Sequence, residues 1–238
     1  MIKGAMQFLM DKAALKEQII EIGGKTFSTK NLELVTTPNA SPLTVNTLSG
    51  LTDYICSGFD NDTFAGNLIH IVGPAKVNLI SNLLEDSSRE TYMTTEAMTP
   101  VFRFGQWYDI ESFIIALQSS FVKNLDVEKI LRLVGNIEEK AIRTFTDDGI
   151  SQGVAARTGL AKVDEVVVPN PVLLAPYRSF IEIEQPESNF VFRLKQGKEM
   201  PECALFEADG GAWKLEAMKR IKEYLDEQLK DMDIKVIS

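Results

Sequence analysis

The sequence predicts an α+β fold: mainly antiparallel sheet, several packed helices and a long C-terminal amphipathic helix. Three observations lead there. Strand-like runs at 68–72, 76–84 and 90–97 are separated by the turn signals Gly73-Pro74 and Glu85-Asp86-Ser87-Ser88, the pattern of a meander. Period-two alternation over 180–184 and 190–194, around Gln185-Pro186-Glu187-Ser188, reads as a hairpin with one face buried. After Asp209 or Gly210, the residues Trp213, Met218, Ile221, Leu225 and Leu229 recur at helical spacing.

In chain order, Met6, Leu9, Met10, Ala13, Ala14, Ile19 and Ile20 are spaced for one helix face, so a helix is expected from about Ala5 to Ile22, ended by Gly23-Gly24. Lys25 to Val35 reads as extended, and Pro38 and Pro42 forbid a continuing helix. Thr44 or Asn46 then caps a helix carrying Leu48, Leu51, Tyr54 and Ile55 and closed by Gly58. The meander follows. Asp109 is the expected cap of a helix over 110–122, and Asp126 of a second helix ending at Gly135. Asp147-Asp148-Gly149 suits a tight turn between strands at 140–146 and 150–158. Strands at 166–168 and 204–206 and a short last one at 235–237 complete the pattern. A division into an α+β region, 1–99, and a region 100–238 of helical pair, hairpins and strand–helix unit is expected, or one continuous domain.

Composition narrows the function classes. The 238 residues are 45% hydrophobic and 25% charged, as in an ordinary globular chain with room for a sizeable core. No apolar run approaches the ~18 residues of a membrane span, and Asp11 and Lys12 interrupt any secretory apolar region, so a cytoplasmic location is expected. Net charge is −9, and the densest basic group, Lys214, Lys219, Arg220 and Lys222, is interleaved with Glu216 and Glu223. Binding to duplex nucleic acid, which needs a basic face, is disfavoured.

The inventory of reactive groups is thin. Cys56, Cys203 and His70 barely reach three ligands for a zinc site, and both cysteines lie in apolar patterns that read as buried thiols. His70, in LIHIV, reads as a sheet histidine, and no Ser stands in a G-x-S-x-G elbow. Asp147 and Asp148 read as turn residues because SQGVAARTG supplies no further calcium ligands. On a strand, Glu182 and Glu184 would share a face, as would Glu207 and Asp209 on the next segment. If those strands were neighbours, the four carboxylates would converge on Mg²⁺ or Mn²⁺. Against this stand the missing lysine of a D/E-x-K arrangement and the simpler reading of a solvated polar face. Asp209 also reads as a helix cap, since Glu207 and Asp209 would repel a phosphate from EADGG.

Two groups point to binding. Trp107 and Tyr108, with Phe102 and Phe104, would line a cleft, a core or a subunit contact. In PNPVLLAPYR, three prolines hold the backbone extended, and Val172, Leu173 and Leu174 need a cover, for which a neighbouring subunit is the expected source. Tyr177, Arg178 and Arg193 flank that segment and the hairpin, and both arginines would pair with Glu182, Glu184 or Glu207.

The segments TFTDDGISQGVAARTG, VPNPVLLAPYRSFIEIEQPESNFVFRL and ALFEADGGAWKLEAMKRIKEYL resemble the YfdQ-like family of phage and prophage proteins. The resemblance covers about the C-terminal two-thirds. It implies a phage source and expression in the cytoplasm of the bacterial host, and carries over no catalytic residue. The expectation is therefore a self-assembling phage accessory protein that acts by binding, against host defence or on host physiology, without a cofactor. Its partners would be further copies of the chain, a host protein or a small nucleotide. Two alternatives stand beside it: a metal-dependent enzyme acting on nucleotides or nucleic acid through Glu182, Glu184, Glu207 and Asp209, and a nucleotide-signal sponge with a subunit-interface pocket.

Overall fold

Branched and aromatic residues alternate with polar ones in the strand segments, and a computed structural model shows how these pair. It describes residues 2–13, 19–22, 25–28, 40–60, 66–84, 87–137, 143–147, 152–158, 162–198 and 200–238. The chain divides into two units, Met1–Asn39 and Ala40–Ser238.

The first unit holds helix α1 (Ile2–Ala13) and an antiparallel pair, β1 (Ile19–Ile22) and β2 (Lys25–Ser28), with Ile20 opposite Phe27. The single helix expected through Ile22 therefore stops short. Ile19, Ile20 and Ile22 are β-branched, lose χ1 freedom in a helix, and here find partners across a ladder.

The second unit begins with β3 (Leu43–Val45), α2 (Leu48–Ser57), β4 (Leu68–Gly73), β5 (Lys76–Ile80) and β6 (Thr91–Glu96). Strands β4, β5 and β6 form the expected antiparallel meander. Period-two alternation puts Ile69, Ile71, Val77, Leu79 and Met93 on one buried face. Leu48, Leu51 and Ile55 of α2 close over that core. Thr47, rather than Thr44 or Asn46, caps α2 by accepting from the Gly50 N–H at 3.0 Å, and Gly58 ends it at φ 61°.

Next come β7 (Tyr108–Asp109), α3 (Ile110–Ser120) and α4 (Leu125–Gly135). Asp109 caps α3 as expected, taking the Ser112 N–H at 2.8 Å. Asn124, not Asp126, caps α4 through the Val127 N–H at 2.8 Å. A three-stranded antiparallel sheet follows: β8 (Arg143–Asp147), β9 (Gln152–Thr158) and β10 (Lys162–Val168), with β9 central. Asp147 pairs with Gln152. The expected turn residues Asp148 and Gly149 lie outside the described residues.

The chain then forms β11 (Val172–Leu174), β12 (Ser188–Gln196), β13 (Pro201–Glu207), α5 (Ala212–Gln228) and β14 (Lys235–Ile237). Strands β11, β12, β13 and β7 make an antiparallel sheet in that order. Its inner residues Val172, Leu174, Phe190, Phe192, Leu194 and Leu205 pack with Phe113, Leu117 and Phe121 of the α3 region and with Val127, Ile130 and Val134 of α4. The expected long C-terminal helix belongs to the other core. Ala217, Ile221 and Leu225 of α5 join the meander's cluster, and β14 pairs in parallel with β4, completing a five-stranded sheet of order β14-β4-β5-β6-β3.

One expected hairpin strand does not form. Residues 180–184 turn instead of extending. The buried Gln185 carboxamide organises the turn, accepting from the N–H groups of Arg178 and Ser179, both at 3.1 Å, and donating to the Phe180 carbonyl at 2.8 Å. Phe180 and Ile183 enter the core beside α5 while Ile181 is left exposed. The same alternation thus serves a turn that plugs a core. Among the described residues no helix is long and apolar enough to cross a membrane.

Candidate ligand-binding cleft

Strands β12 and β13 place their odd and even side chains on opposite faces, and register sets which residues meet. On the outer face Val191 lies opposite Phe206, Arg193 opposite Ala204, and Lys195 opposite Glu202. On the other flank of β13, Cys203 faces Tyr108, and Trp107 immediately precedes that pairing. Ala204 is small and wholly covered, and Trp107 meets Lys195 and Phe206 on this face. The result is a cleft of about 600 Å³ lined by Trp107, Gln152, Arg193, Lys195 and Phe206.

Its interior is aromatic and cationic. The Trp107 and Phe206 rings meet edge to face, 6.2 Å apart at 73°, and Trp107 keeps 38% of its surface exposed. Gly105, at φ 73°, turns the chain into place, with its N–H donating to the Leu205 carbonyl at 2.8 Å. Lys195 holds its ammonium 4.1 Å from the Trp107 ring centre and 3.0 Å from the Glu202 carboxylate. Arg193 is half-buried, and its shielded Nη1 has no hydrogen-bond partner among the described residues. Gln152 is committed elsewhere: its amide donates to the Leu194 carbonyl at 2.7 Å and accepts the Leu194 N–H at 3.1 Å. It satisfies the stretch of β12 that β11 is too short to pair.

The other expected binding residues have separate fates. Phe102 and Phe104 stack into the core with Tyr108, Phe121 and Phe190. The Tyr108 hydroxyl accepts the Arg103 N–H at 2.8 Å. The apolar segment expected to need an outside cover has one within its own unit. Val172 and Leu174 are fully buried, and only Leu173, at 40%, is exposed. The backbone of this segment is also occupied. On one side Val172–Leu174 pairs with residues 188–190. On the other, Asp126 accepts the Leu173 N–H at 2.9 Å, Asn124 donates to the Leu173 carbonyl at 2.9 Å, and Tyr177 donates to the Ser120 carbonyl at 2.8 Å. The sequence hides this because the covering helices lie about fifty residues upstream.

Arg178 is not in the cleft either. Its side chain is 10% exposed, sits 3.8 Å from the Trp213 ring centre, and pairs with Glu207 at 2.6 Å and with the Ser188 hydroxyl. Burial pulls its pKa down to about 10, opposed by Glu207 and Asp209, so it is charged at neutral pH.

The four carboxylates weighed as a metal site answer to four different partners. Glu182 accepts the Ser49 N–H at 3.2 Å at the start of α2, and Glu184 lies 3.4 Å from Arg220, largely in solvent. Glu207 binds Arg178. Asp209 takes the N–H groups of Gly211 at 3.0 Å and Trp213 at 3.3 Å at the start of α5. For Asp209, burial works to raise the pKa, but these N–H groups, Ser188 and Arg178 together hold it below the usual range. Their premise fails with the absent strand at 180–184. Among the described residues no three of His, Cys, Asp and Glu gather as a metal site would require.

Lys195, Phe206 and Gln152 were not singled out from the sequence. The legible signal was Arg193-Leu194-Lys195, two cations alternating about a core leucine on one strand. Comparison with protein-family models, curated proteins and solved structures finds no match to this chain.

Proposed function

We propose that the chain is a phage-encoded cytoplasmic accessory protein that self-assembles and acts by binding rather than by catalysis, with the cleft around Trp107 as its binding site. The observation that carries this reading is the Arg193 guanidinium, which lines an aromatic cleft with one nitrogen shielded and unpartnered. A buried donor left unmade is costly, so the guanidinium gains if it turns to meet an acceptor that a ligand supplies. The cleft's volume is that of an ordinary small-molecule site. The phage source rests on the resemblance of the PNPVLLAPYR and EADGG segments to the YfdQ-like family, and a role against host defence or on host physiology follows by analogy. Self-assembly draws support from large apolar side chains left in solvent, Met98 at 79% and Val101 at 81%, three residues apart.

Mass spectrometry of small molecules released from protein purified out of its host tests the binding reading. A stoichiometric ligand, lost in Trp107→Ala, is the expected result; none released from either protein counts against it. Light scattering tests self-assembly: a clean monomer of 26.5 kDa at micromolar concentration would sink it.

A further inference from the structure

The charges and rings of the Trp107 cleft are arranged so that each half selects a different part of a ligand. We infer that the cleft takes a nucleotide: the base stacks on Trp107 after Lys195 has swung off the ring, and Arg193 and Lys195 hold the phosphate. This rests on the cleft being the binding site.

Among the described residues its lining includes two cations and no carboxylate, with Glu202 held beside Lys195, in a chain whose net charge is −9. Arg193 and Lys195 are two residues apart on β12, so both project over the same face. That pairing fits a phosphate dianion better than a single carboxylate, because a guanidinium and an ammonium can each take an oxygen. Trp107 and Phe206 supply an aromatic platform, and base–aromatic stacking is worth ~1–3 kcal/mol without regard to base identity.

Lys195 is the moving part. In the closed arrangement its ammonium covers the Trp107 ring at 4.1 Å and leans on Glu202 at 3.0 Å. Both Lys195 and Glu202 are partly exposed, at 43% and 33%, so solvent and salt weaken their pairing. A phosphate draws the ammonium away and frees the ring for the base. Gln152 is buried with its carboxamide held on the Leu194 backbone, so it does not reach out to read a base edge. Selection is therefore for a ring joined to a phosphate, not for one base.

The test is calorimetric titration of the full chain with AMP, GMP, adenosine and inorganic phosphate. AMP and GMP are expected to bind within a few-fold of each other, and each about tenfold or more tighter than adenosine or phosphate alone. Arg193→Gln should cost the monophosphates about tenfold and leave adenosine unchanged. Lys195→Met should weaken the monophosphates but leave adenosine equal or tighter, because the ring is uncovered. Thermal unfolding of both variants checks that they remain folded. Equal affinity for AMP and adenosine, no binding by any of the four compounds, or parallel loss of both in Lys195→Met overturns the inference. A different released ligand that still depends on Trp107 would leave the cleft as the binding site while removing the nucleotide. Ligand binding unaffected by Trp107→Ala would remove the cleft itself.

Discussion

The guanidinium carbon of Arg178 lies 3.8 Å from the centre of the Trp213 ring, and that contact joins the two apolar cores of the second unit. Trp213 packs against the meander's cluster. The same guanidinium carbon lies 5.6 Å from the ring centre of Phe190, inside the cluster that α3 and α4 help build. The Arg178 guanidinium also holds Glu207 and Ser188, so one side chain ties the end of β13 to the start of α5. Replacing Arg178 by Ala should cost about 2–4 kcal/mol in urea unfolding, toward the lower end because Glu207, 41% exposed, can be rehydrated. Arg178→Lys should recover less than half, having no planar face to stack and no fork to reach both oxygens. A change under about 0.5 kcal/mol in Arg178→Ala would remove its role as a tie.

The PNPVLLAPYR segment separates core from surface within three residues. Leu174→Ala should destabilise by about 2–5 kcal/mol, since the side chain is fully buried between sheet and helices. Leu173→Ala should change stability by less than about 1 kcal/mol. Equal effects in denaturant titrations would contradict the burial of this strand.

Gln152 should behave as a piece of secondary structure. Its carboxamide makes both hydrogen bonds that a neighbouring strand would make to Leu194. Gln152→Leu leaves that N–H and carbonyl unpaired, at a cost of about 1–3 kcal/mol. Hydrogen exchange at the Leu194 amide reads this directly; unchanged protection in the variant would refute it.

Acid should weaken the joint between α4 and β11. Lys129 first, and then the Leu173 N–H, hold the Asp126 carboxyl below its usual range. A depressed folded-state pKa means the stabilisation is complete above the unfolded-state value of ~4 and fades as pH falls through the folded value. Wild type should exceed Asp126→Ala by about 1 kcal/mol above pH ~5, with the gap narrowing at lower pH. A gap that widens on acidification would have the wrong sign.

The two thiols should differ in reactivity. Cys203 is fully buried, and desolvation first, then Asp109, push its pKa up to about 12. Cys56, expected from its apolar neighbours to be buried, is exposed on the outer side of α2, because Leu51, Thr52 and Ile55 take the inward positions. A thiol reagent should label Cys56 alone in the native chain and both in denaturant. Native labelling of Cys203 would show that its strand opens.

What the chain determined by itself was local. Alternation and turn residues specified the meander, capping by Asp109 started α3, and helical spacing marked α5, because each depends on neighbours within a few residues. Tertiary structure decided the rest. The alternation at 180–184 suits a strand or a core-plugging turn equally, and the buried Gln185 carboxamide chose the turn. The apolar run at 172–174 reads as an uncovered patch until α3 and α4 arrive over it. The cleft brings together Arg193 and Trp107, residues 86 positions apart in the chain, one on β12 and one just before β7, the strands that flank β13. Such meetings depend on strand register across long separations, and the amino-acid order encodes register only through the whole fold.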